Sequence, residues 1–303
     1  MRTSWTYEDI GRWESGGPHV ARHRLHEDPV FDTDGLAALL DRIPRDIVHP
    51  YTMGTDVTRT DEWQRGRTTD VPGAELLETV ARGRLWLNVV GVGDADPTLG
   101  RLTRGLYEEI SELVPGFAPT SVKTTLLISS PTAQVYYHAD NQPNALWHLR
   151  GSKRVHVYPR GSRFIEARQL EAIVAGRSDE QLPYDPAFEE HAWSAVLEPG
   201  QVAWWPQNSP HRVANLEGLN VSLSTEHRTP ASTRRERIDA GNHLVRQRLG
   251  LARVAEHDSP VLDHGKAIAA RVDGRIARGR QLPGPRPTFV VDPSQPTGVR
   301  ELA

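Results

Sequence analysis

Between Leu85 and Thr225 the chain is a succession of short, β-rich runs separated by turn signals, and this pattern most constrains its fold. Turns such as Ser129-Ser-Pro, Arg150-Gly-Ser and Glu198-Pro-Gly divide the runs. Many short strands with this punctuation are typical of all-β barrels and double-sheet jelly rolls. The predicted strands are 85–90, 122–129, 134–138, 146–149, 153–158, 195–197, 201–205 and 219–225.

Helical patterns lie on both sides of this region. Apolar residues recur at helical spacing in 34–43, 74–82 and 98–114, and an insertion over 160–193 is predicted to be partly helical at 166–175. After Pro230 the sequence predicts two Arg-rich helices, Thr233–Leu251 and Val261–Arg278, and then an extended, Pro-rich tail. We therefore expect a helical and irregular flank at 1–84, a β core at 85–228, and a C-terminal helical segment with tail at 229–303.

Composition narrows the chemistry available to the chain. It has no Cys, which excludes disulfides, thiolate zinc sites, iron–sulfur clusters and a cysteine nucleophile. A net charge of -3 gives no general attraction to nucleic acid or to acidic membranes. The N-terminus has no signal-peptide pattern, and the apolar stretch Leu85–Val92 is too short to span a bilayer. The expected location is the cytoplasm.

The principal candidate site combines His138-Ala-Asp140 with His211. Residues two apart on a strand face the same side, so His138 and Asp140 can both point into a barrel. With His211 at the start of a later strand they form a set of two His and one carboxylate, which leaves metal positions open and suits non-haem Fe(II). His26-Glu-Asp28 also matches His-x-Asp, but it lies in a polar stretch with Pro29 directly after it.

The segment Tyr137-His-Ala-Asp-Asn-Gln-Pro-Asn-Ala-Leu-Trp-His-Leu-Arg-Gly-Ser-Lys-Arg-Val-His-Val-Tyr-Pro159 resembles the JmjC/cupin-like Fe(II)- and 2-oxoglutarate-dependent oxygenases. It is most similar to the branch that contains the asparaginyl hydroxylase of hypoxia-inducible factor. The resemblance covers about residues 85–228 and extends to the motif Pro206-x4-His211. It implies a mainly β, double-stranded β-helix (jelly roll or cupin) core with flanking N-terminal and C-terminal helices. It also implies Fe(II) bound by His138, Asp140 and His211 as the catalytic residues, with O2 and 2-oxoglutarate as co-substrates.

The same resemblance implies a set of residues that bind 2-oxoglutarate. Lys153 matches the family lysine that holds the distal carboxylate, and Asn144 matches an Asn near the metal. Thr125 and Ser224 fall on strands where the family places residues that line the co-substrate pocket. Val135 stands where the family has a Thr, so one hydroxyl contact is missing.

The expected reaction is hydroxylation of a C–H bond in an amino-acid side chain, free or in a peptide or protein, with release of succinate and CO2. Alternatives are a hydroxylase of another small metabolite, a non-enzymatic metal-binding cupin sensor, a cupin isomerase or oxoglutarate-independent dioxygenase, and a halogenase. No His-x-His occurs, which disfavours the cupin isomerase, and Asp140 fills the position that a halogenase leaves open.

Two further expectations concern partners. Four arginines close to the motif strands favour acidic substrates: Arg150, Arg160, Arg163 and Arg212. The C-terminal helices of the related hydroxylase branch form a dimer, so the resemblance also implies a homodimer here.

Overall fold

The computed structural model describes residues 1–251, 260–276 and 285–302. The α-helices of this part are α1 (Tyr7–Ser15), α2 (Thr33–Arg42), α3 (Gly73–Arg82), α4 (Val92–Ala95), α5 (Pro97–Leu113), α6 (Ala167–Val174), α7 (Pro230–Leu249) and α8 (Pro260–Ile276). The strands are β1 (His19–Arg22), β2 (Val48–Thr52), β3 (Gln64–Arg67), β4 (Leu85–Val89), β5 (Ser121–Ser129), β6 (Gln134–His138), β7 (Asn144–Val157), β8 (Trp193–Leu197), β9 (Gln201–Trp205), β10 (His211–Arg228), β11 (Phe289–Val291) and β12 (Val299–Glu301).

Two long strands, β7 and β10, form the centre of the sheet and pair along most of their length. β10 also pairs with β5 and β6, whereas β7 continues to β8 and β9. The full strand order is β1-β9-β7-β10-β5-β4-β2-β3-β11-β12, with β6 on β10 and β8 on β7. The predicted mainly β core with flanking helices is confirmed.

Alternate residues of β7 face two different apolar layers. Trp147 and its neighbours pack towards the N-terminal helices, whereas Leu146, Val155 and Val157 form a second cluster with Trp205 of β9. Val157 lies directly opposite His211 in the ladder, so this second cluster shares its face with the candidate site. The second cluster is therefore the interior that surrounds the site.

The first 84 residues contain sheet structure that the sequence pattern did not indicate. β1 pairs with β9, and β2 joins β4 to β3, so three strands of this flank extend the central sheet. These strands are short, and their sequences His19-Val-Ala-Arg, Val48-His-Pro-Tyr-Thr and Gln64-Arg-Gly-Arg are largely polar or interrupted. Tertiary pairing, rather than intrinsic propensity, decides such strands.

The Pro-rich tail is also part of the sheet rather than a free extension. β11 pairs in parallel with β3, and β12 pairs with β11. Phe289 is buried against Gly66, where an added Cβ would lie 2.3 Å from its ring. The tail therefore closes over the N-terminal region, and Gly66 permits the close contact.

The two C-terminal helices agree with the sequence except at their ends. The predicted helix 261–278 is observed as α8, and its last two residues lie outside the described ranges. α7 and α8 pack against each other, and α7 also contacts α6 from the insertion. Within the described residues, no helix has the length and apolar character required to cross a membrane.

Candidate metal centre

The structure brings His138, Asp140 and His211 together, with one potential ligand atom from each within 4.8 Å of the others. His138 ends β6, His211 begins β10, and the two residues lie opposite each other in the ladder. Their ring centroids are 4.1 Å apart. The Asp140 carboxylate lies between them, 3.7 Å from His138 Nε2 and 3.4 Å from His211 Nε2. Among the described residues this is the one cluster of its kind.

Backbone carbonyls fix the orientation of both imidazoles. His138 Nδ1 donates to the carbonyl of Tyr136 at 2.7 Å, and His211 Nδ1 donates to that of Ser209 at 3.0 Å. Each Nδ1 therefore carries the proton, and each Nε2 lone pair faces Asp140. A metal-binding His commonly has its second nitrogen held in this way.

His211 is held in its neutral form. Burial lowers its pKa to about 4, with a further contribution from the neighbouring His138. Only the neutral imidazole has a free lone pair for a metal ion, so His211 is ready to bind without losing a proton. The Trp205 ring lies 4.6 Å from its own and covers it.

Asp140 is held by a short relay of hydrogen bonds. Asn144 Nδ2 donates to Asp140 Oδ2 at 2.7 Å, and the Ser224 hydroxyl donates to Asn144 Oδ1 at 2.9 Å. Thr125 is buried opposite Ser224 in the β5–β10 ladder. Asn144 and Ser224, two of the residues predicted to contact the co-substrate, thus orient the carboxylate, and Thr125 lies next to Ser224 on the neighbouring strand.

Lys153 lies inside the same barrel with 3 % of its surface exposed. Lys153 pairs with Leu197 of β8 on one side and with Asn215 of β10 on the other. Asn215 is four residues after His211, so the two residues face the same side of β10. Lys153 makes no ion pair within the described residues, and burial lowers its pKa to about 7. A buried amine without a counter-charge is costly, and a bound anion would relieve that cost.

His148, which lies near Lys153, is a packing residue and does not belong to the metal-ligand cluster. Its Nε2 donates to the carbonyl of Gly151 at 2.8 Å, so its Nδ1 accepts the Ser222 hydroxyl at 3.0 Å. Burial and the nearby Lys153 lower the pKa of His148 to about 3. It is therefore neutral, and Lys153 is the cation on this part of the interior.

Sequence reasoning missed two segments that border the site. Residues 180–182 of the insertion run along the ligand strand: Ala139 N donates to the Glu180 carbonyl and Leu182 N to that of Tyr137. Asn208, in the turn before His211, bonds to the backbone of Asp140. The Asn in a Pro-rich turn was a recognisable signal, whereas nothing in the insertion sequence indicates its pairing with β6.

Two of the four arginines that suggested acidic substrates are engaged elsewhere. Arg212 faces away from His211 and binds Glu189 and Tyr158, and Arg150 donates to Thr33. The ionisable groups that interact with Asp140 from the rim are instead Glu180 and Glu226. Strand alternation turns Arg212 away from the interior, so this residue does not support the expectation of acidic substrates, which stays a prediction.

The donor set fits iron. Two neutral imidazoles and one carboxylate form one face of a coordination sphere and leave the opposite face open, which is the arrangement typical of non-haem Fe(II) oxygenases. His138, Asp140 and His211 would hold the ion, and Lys153 would pair with a second anion deeper in the barrel.

Comparison with known proteins gives a structural match alone. No protein-family model and no curated protein match the sequence. The structure of YcfD, a ribosomal oxygenase from Escherichia coli in complex with cobalt and 2-oxoglutarate, aligns with a TM-score of 0.52 and 16% identity, and the match covers 90% of this chain and 67% of that chain. A second structure of E. coli YcfD aligns with a TM-score of 0.51 and 19% identity over 92% of this chain and 70% of that chain. The chain therefore has the fold of the ribosomal oxygenase YcfD, and at the level of the fold its resemblance to the JmjC/cupin-like oxygenases is confirmed.

Proposed function

We propose that the chain is an Fe(II)- and 2-oxoglutarate-dependent oxygenase that hydroxylates a C–H bond of an amino-acid side chain, free or in a polypeptide. The observation that carries the proposal is the pairing, inside one barrel, of the His138–Asp140–His211 cluster with the uncompensated Lys153. A dicarboxylate that binds metal at one end and needs a cation at the other matches both features. The cobalt and 2-oxoglutarate bound to YcfD support the same choice.

The residues divide the work between binding and orientation. The two Nε2 atoms and the Asp140 carboxylate hold the metal, with Asn144 and Ser224 fixing the carboxylate. Lys153 anchors the distal end of the co-substrate, while the apolar cluster around Trp205 keeps water out. When bound, Fe(II) supplies the redox chemistry by which O2 converts 2-oxoglutarate to succinate and CO2 and the substrate C–H to C–OH.

The rim of the site favours a substrate with positive charge. Burial and the charge of Asp140 raise the pKa of both Glu180, to about 8, and Glu226. Lys123 lies opposite Glu226 in the β5–β10 ladder, while the nearby Arg228 is paired with Glu236. A metal ion beside Asp140 would offset the charge of that carboxylate and favour ionised Glu180 and Glu226. Two carboxylates against Lys123 would then attract a cationic side chain and repel a carboxylate. Among amino-acid substrates we therefore expect basic residues to be preferred.

The proposal is tested by succinate release. Purified protein with Fe(II), ascorbate and 2-oxoglutarate should release succinate faster when a basic peptide is added than when the same peptide with Glu in place of the basic residues is added. Mass spectrometry should find a product 16 Da heavier than the substrate, as insertion of one oxygen requires.

The alternatives predict other outcomes of the same assay. A non-amino-acid metabolite that alone stimulates succinate release would retain the oxygenase and reject the side-chain substrate. A chain that binds metal and 2-oxoglutarate but yields no succinate with any peptide, amino acid or cell extract would be a sensor instead.

We further propose that the chain forms a homodimer through α8. Four apolar residues of α8, Val261, Leu262, Ile268 and Val272, are each more than half exposed, alongside the exposed His264 and Arg271, whereas Asp263 and Lys266 are buried. A surface helix normally has the reverse arrangement. An apolar stripe of this kind is suited to pack against a second copy of itself about a twofold axis.

Introducing charge into this stripe should separate the subunits. The double substitution Ile268→Glu and Val272→Glu should give a monomer in light scattering coupled to gel filtration, where the unaltered protein gives a dimer. Val196→Glu, at an exposed apolar residue of β8, serves as the matched control and should leave the dimer intact. A monomeric unaltered protein would contradict the proposal.

A further inference from the structure

The turn that leads into His211 contains an unusual backbone position. Asn208 has φ +62° and is, among the described residues, the one non-glycine residue in the left-handed region. Glycine takes this conformation without penalty, and Asn tolerates it better than most other residues. Asn208 is also buried, with 1 % of its surface exposed. Glycine would be the simplest residue at such a position, so the side chain of Asn208 calls for a separate explanation.

The Asn208 amide joins the two ligand-bearing segments. Its Nδ2 donates to the backbone carbonyl of Asp140 at 3.0 Å and to that of Asn141 at 3.3 Å. Both partners are acceptors only, so the orientation of the amide is fixed by its NH2 group. The adjacent Gln207 adds one bond to the Asn141 carbonyl at 3.0 Å. Of these two side chains, only that of Asn208 fastens the turn before His211 directly to Asp140.

Asp140 depends on such contacts because it lies beyond the end of β6, where the ladder with β10 has stopped at His138. Its carboxylate is oriented by Asn144, but its backbone position is set by its neighbours. Metal affinity is sensitive to displacements of this kind, and groups that hold a ligand in place commonly contribute ten- to a hundredfold.

We propose that Asn208 is a positioning residue for the metal centre: its side-chain amide sets the place of Asp140 relative to His211. This inference rests on the proposed function, because it requires that the cluster bind a metal ion. The competing explanation is that Asn208 only forms the turn. A turn former would be replaced by glycine without loss, since glycine adopts the same φ.

Two substitutions separate these explanations. Asn208→Gly keeps the left-handed backbone and removes the amide. Asn208→Asp keeps size and backbone tolerance, but its carboxylate cannot donate and would face two carbonyl oxygens. Gln207→Ala is the matched control, because it removes a bond from the same turn to Asn141 and leaves Asp140 untouched.

The test is titration of the metal-free, full-length protein with Co(II), followed by its visible absorption bands, which report ligand geometry. We expect the dissociation constant to rise about ten- to a hundredfold in Asn208→Gly and further in Asn208→Asp, with altered band positions. Gln207→Ala should change it less than about threefold. The melting temperature of metal-free Asn208→Gly should match that of the unaltered protein, which separates positioning from folding.

The outcomes are distinguishable from failure of the proposed function. An unaltered protein that binds no Co(II) would remove the metal centre itself. Tight binding by the unaltered protein together with an equal constant and spectrum for Asn208→Gly would overturn the role of Asn208 alone. If Asn208→Gly unfolds, Asn208→Asp decides: a folded Asn208→Asp with unchanged affinity also overturns it.

Discussion

His211→Ala should abolish tight binding of Fe(II), because it removes one of three protein ligands. The loss should exceed about a hundredfold in affinity, since groups that only orient a ligand already contribute ten- to a hundredfold. Metal analysis after anaerobic loading and gel filtration should give about one Fe(II) per chain for the unaltered protein and none for the variant. His138→Ala and Asp140→Ala should behave in the same way, and turnover should vanish with the metal.

The chain supplies a matched control for this experiment. His26-Glu-Asp28 repeats the His-x-Asp spacing of the ligand pair, yet among the described residues it belongs to no metal-ligand cluster. His26→Ala should therefore retain full metal content. Undiminished metal in the double variant His138→Ala, His211→Ala would show that the ion binds elsewhere.

The ligand set could be predicted because its information is local. His138 and Asp140 are two residues apart at the end of a strand, and His211 follows a turn rich in Pro. β6 and β9 were predicted at their observed bounds for the same reason. Where alternation and turn chemistry agree, the sequence alone defines the element.

The full lengths of β7 and β10 could not be predicted from the sequence pattern. β7 and β10 were predicted as shorter runs because the turn-like residues Gly151 and Gly218 interrupt the apolar pattern. Both glycines have positive φ, at +74° and +69°, and the β7–β10 ladder shifts register around them. The glycines are bulges within continuous strands rather than ends, and only the partner strand distinguishes the two.

Contacts between distant segments were beyond the sequence. Residue 180 and Ala139 are about 40 residues apart, and Asn208 and Asp140 are 68 apart, so no periodic pattern connects either pair. These contacts determine how firmly Asp140 is held. The identity of the metal ligands can therefore be predicted from short sequence motifs, whereas the rigidity of the site depends on tertiary packing.

Lys153→Met should stabilise the metal-free protein and at the same time remove binding of 2-oxoglutarate. Burial lowers the pKa of Lys153 from 10.5 to about 7, and no counter-charge within the described residues offsets the cost of burying the amine. At about 1.36 kcal/mol per pKa unit, a methionine of similar length should raise the free energy of unfolding at pH 7 by roughly 3–5 kcal/mol.

The stabilisation expected of Lys153→Met should also depend on pH. Between pH 7 and 10.5 the unfolded chain holds a proton at Lys153 that the folded chain has lost, so the stability of the unaltered protein gains from rising pH in this window. Lys153→Met lacks that contribution. The difference in unfolding free energy between the two proteins, measured by urea denaturation, should therefore be largest at pH 7 and below and shrink towards pH 10.5.

Binding of the co-substrate should change in the opposite direction. Isothermal titration with 2-oxoglutarate, under anaerobic conditions with Mn(II) in the site, should show affinity lowered about a hundredfold or more in Lys153→Met, because a buried charge pair loses one partner. Arg154→Met, at the exposed basic residue that follows Lys153 on the opposite face of β7, is the control and should alter neither quantity appreciably. A variant that is less stable yet binds 2-oxoglutarate unchanged would make Lys153 a structural residue. A variant that gains stability and loses 2-oxoglutarate binding would show that the charge of Lys153 serves the ligand rather than the fold.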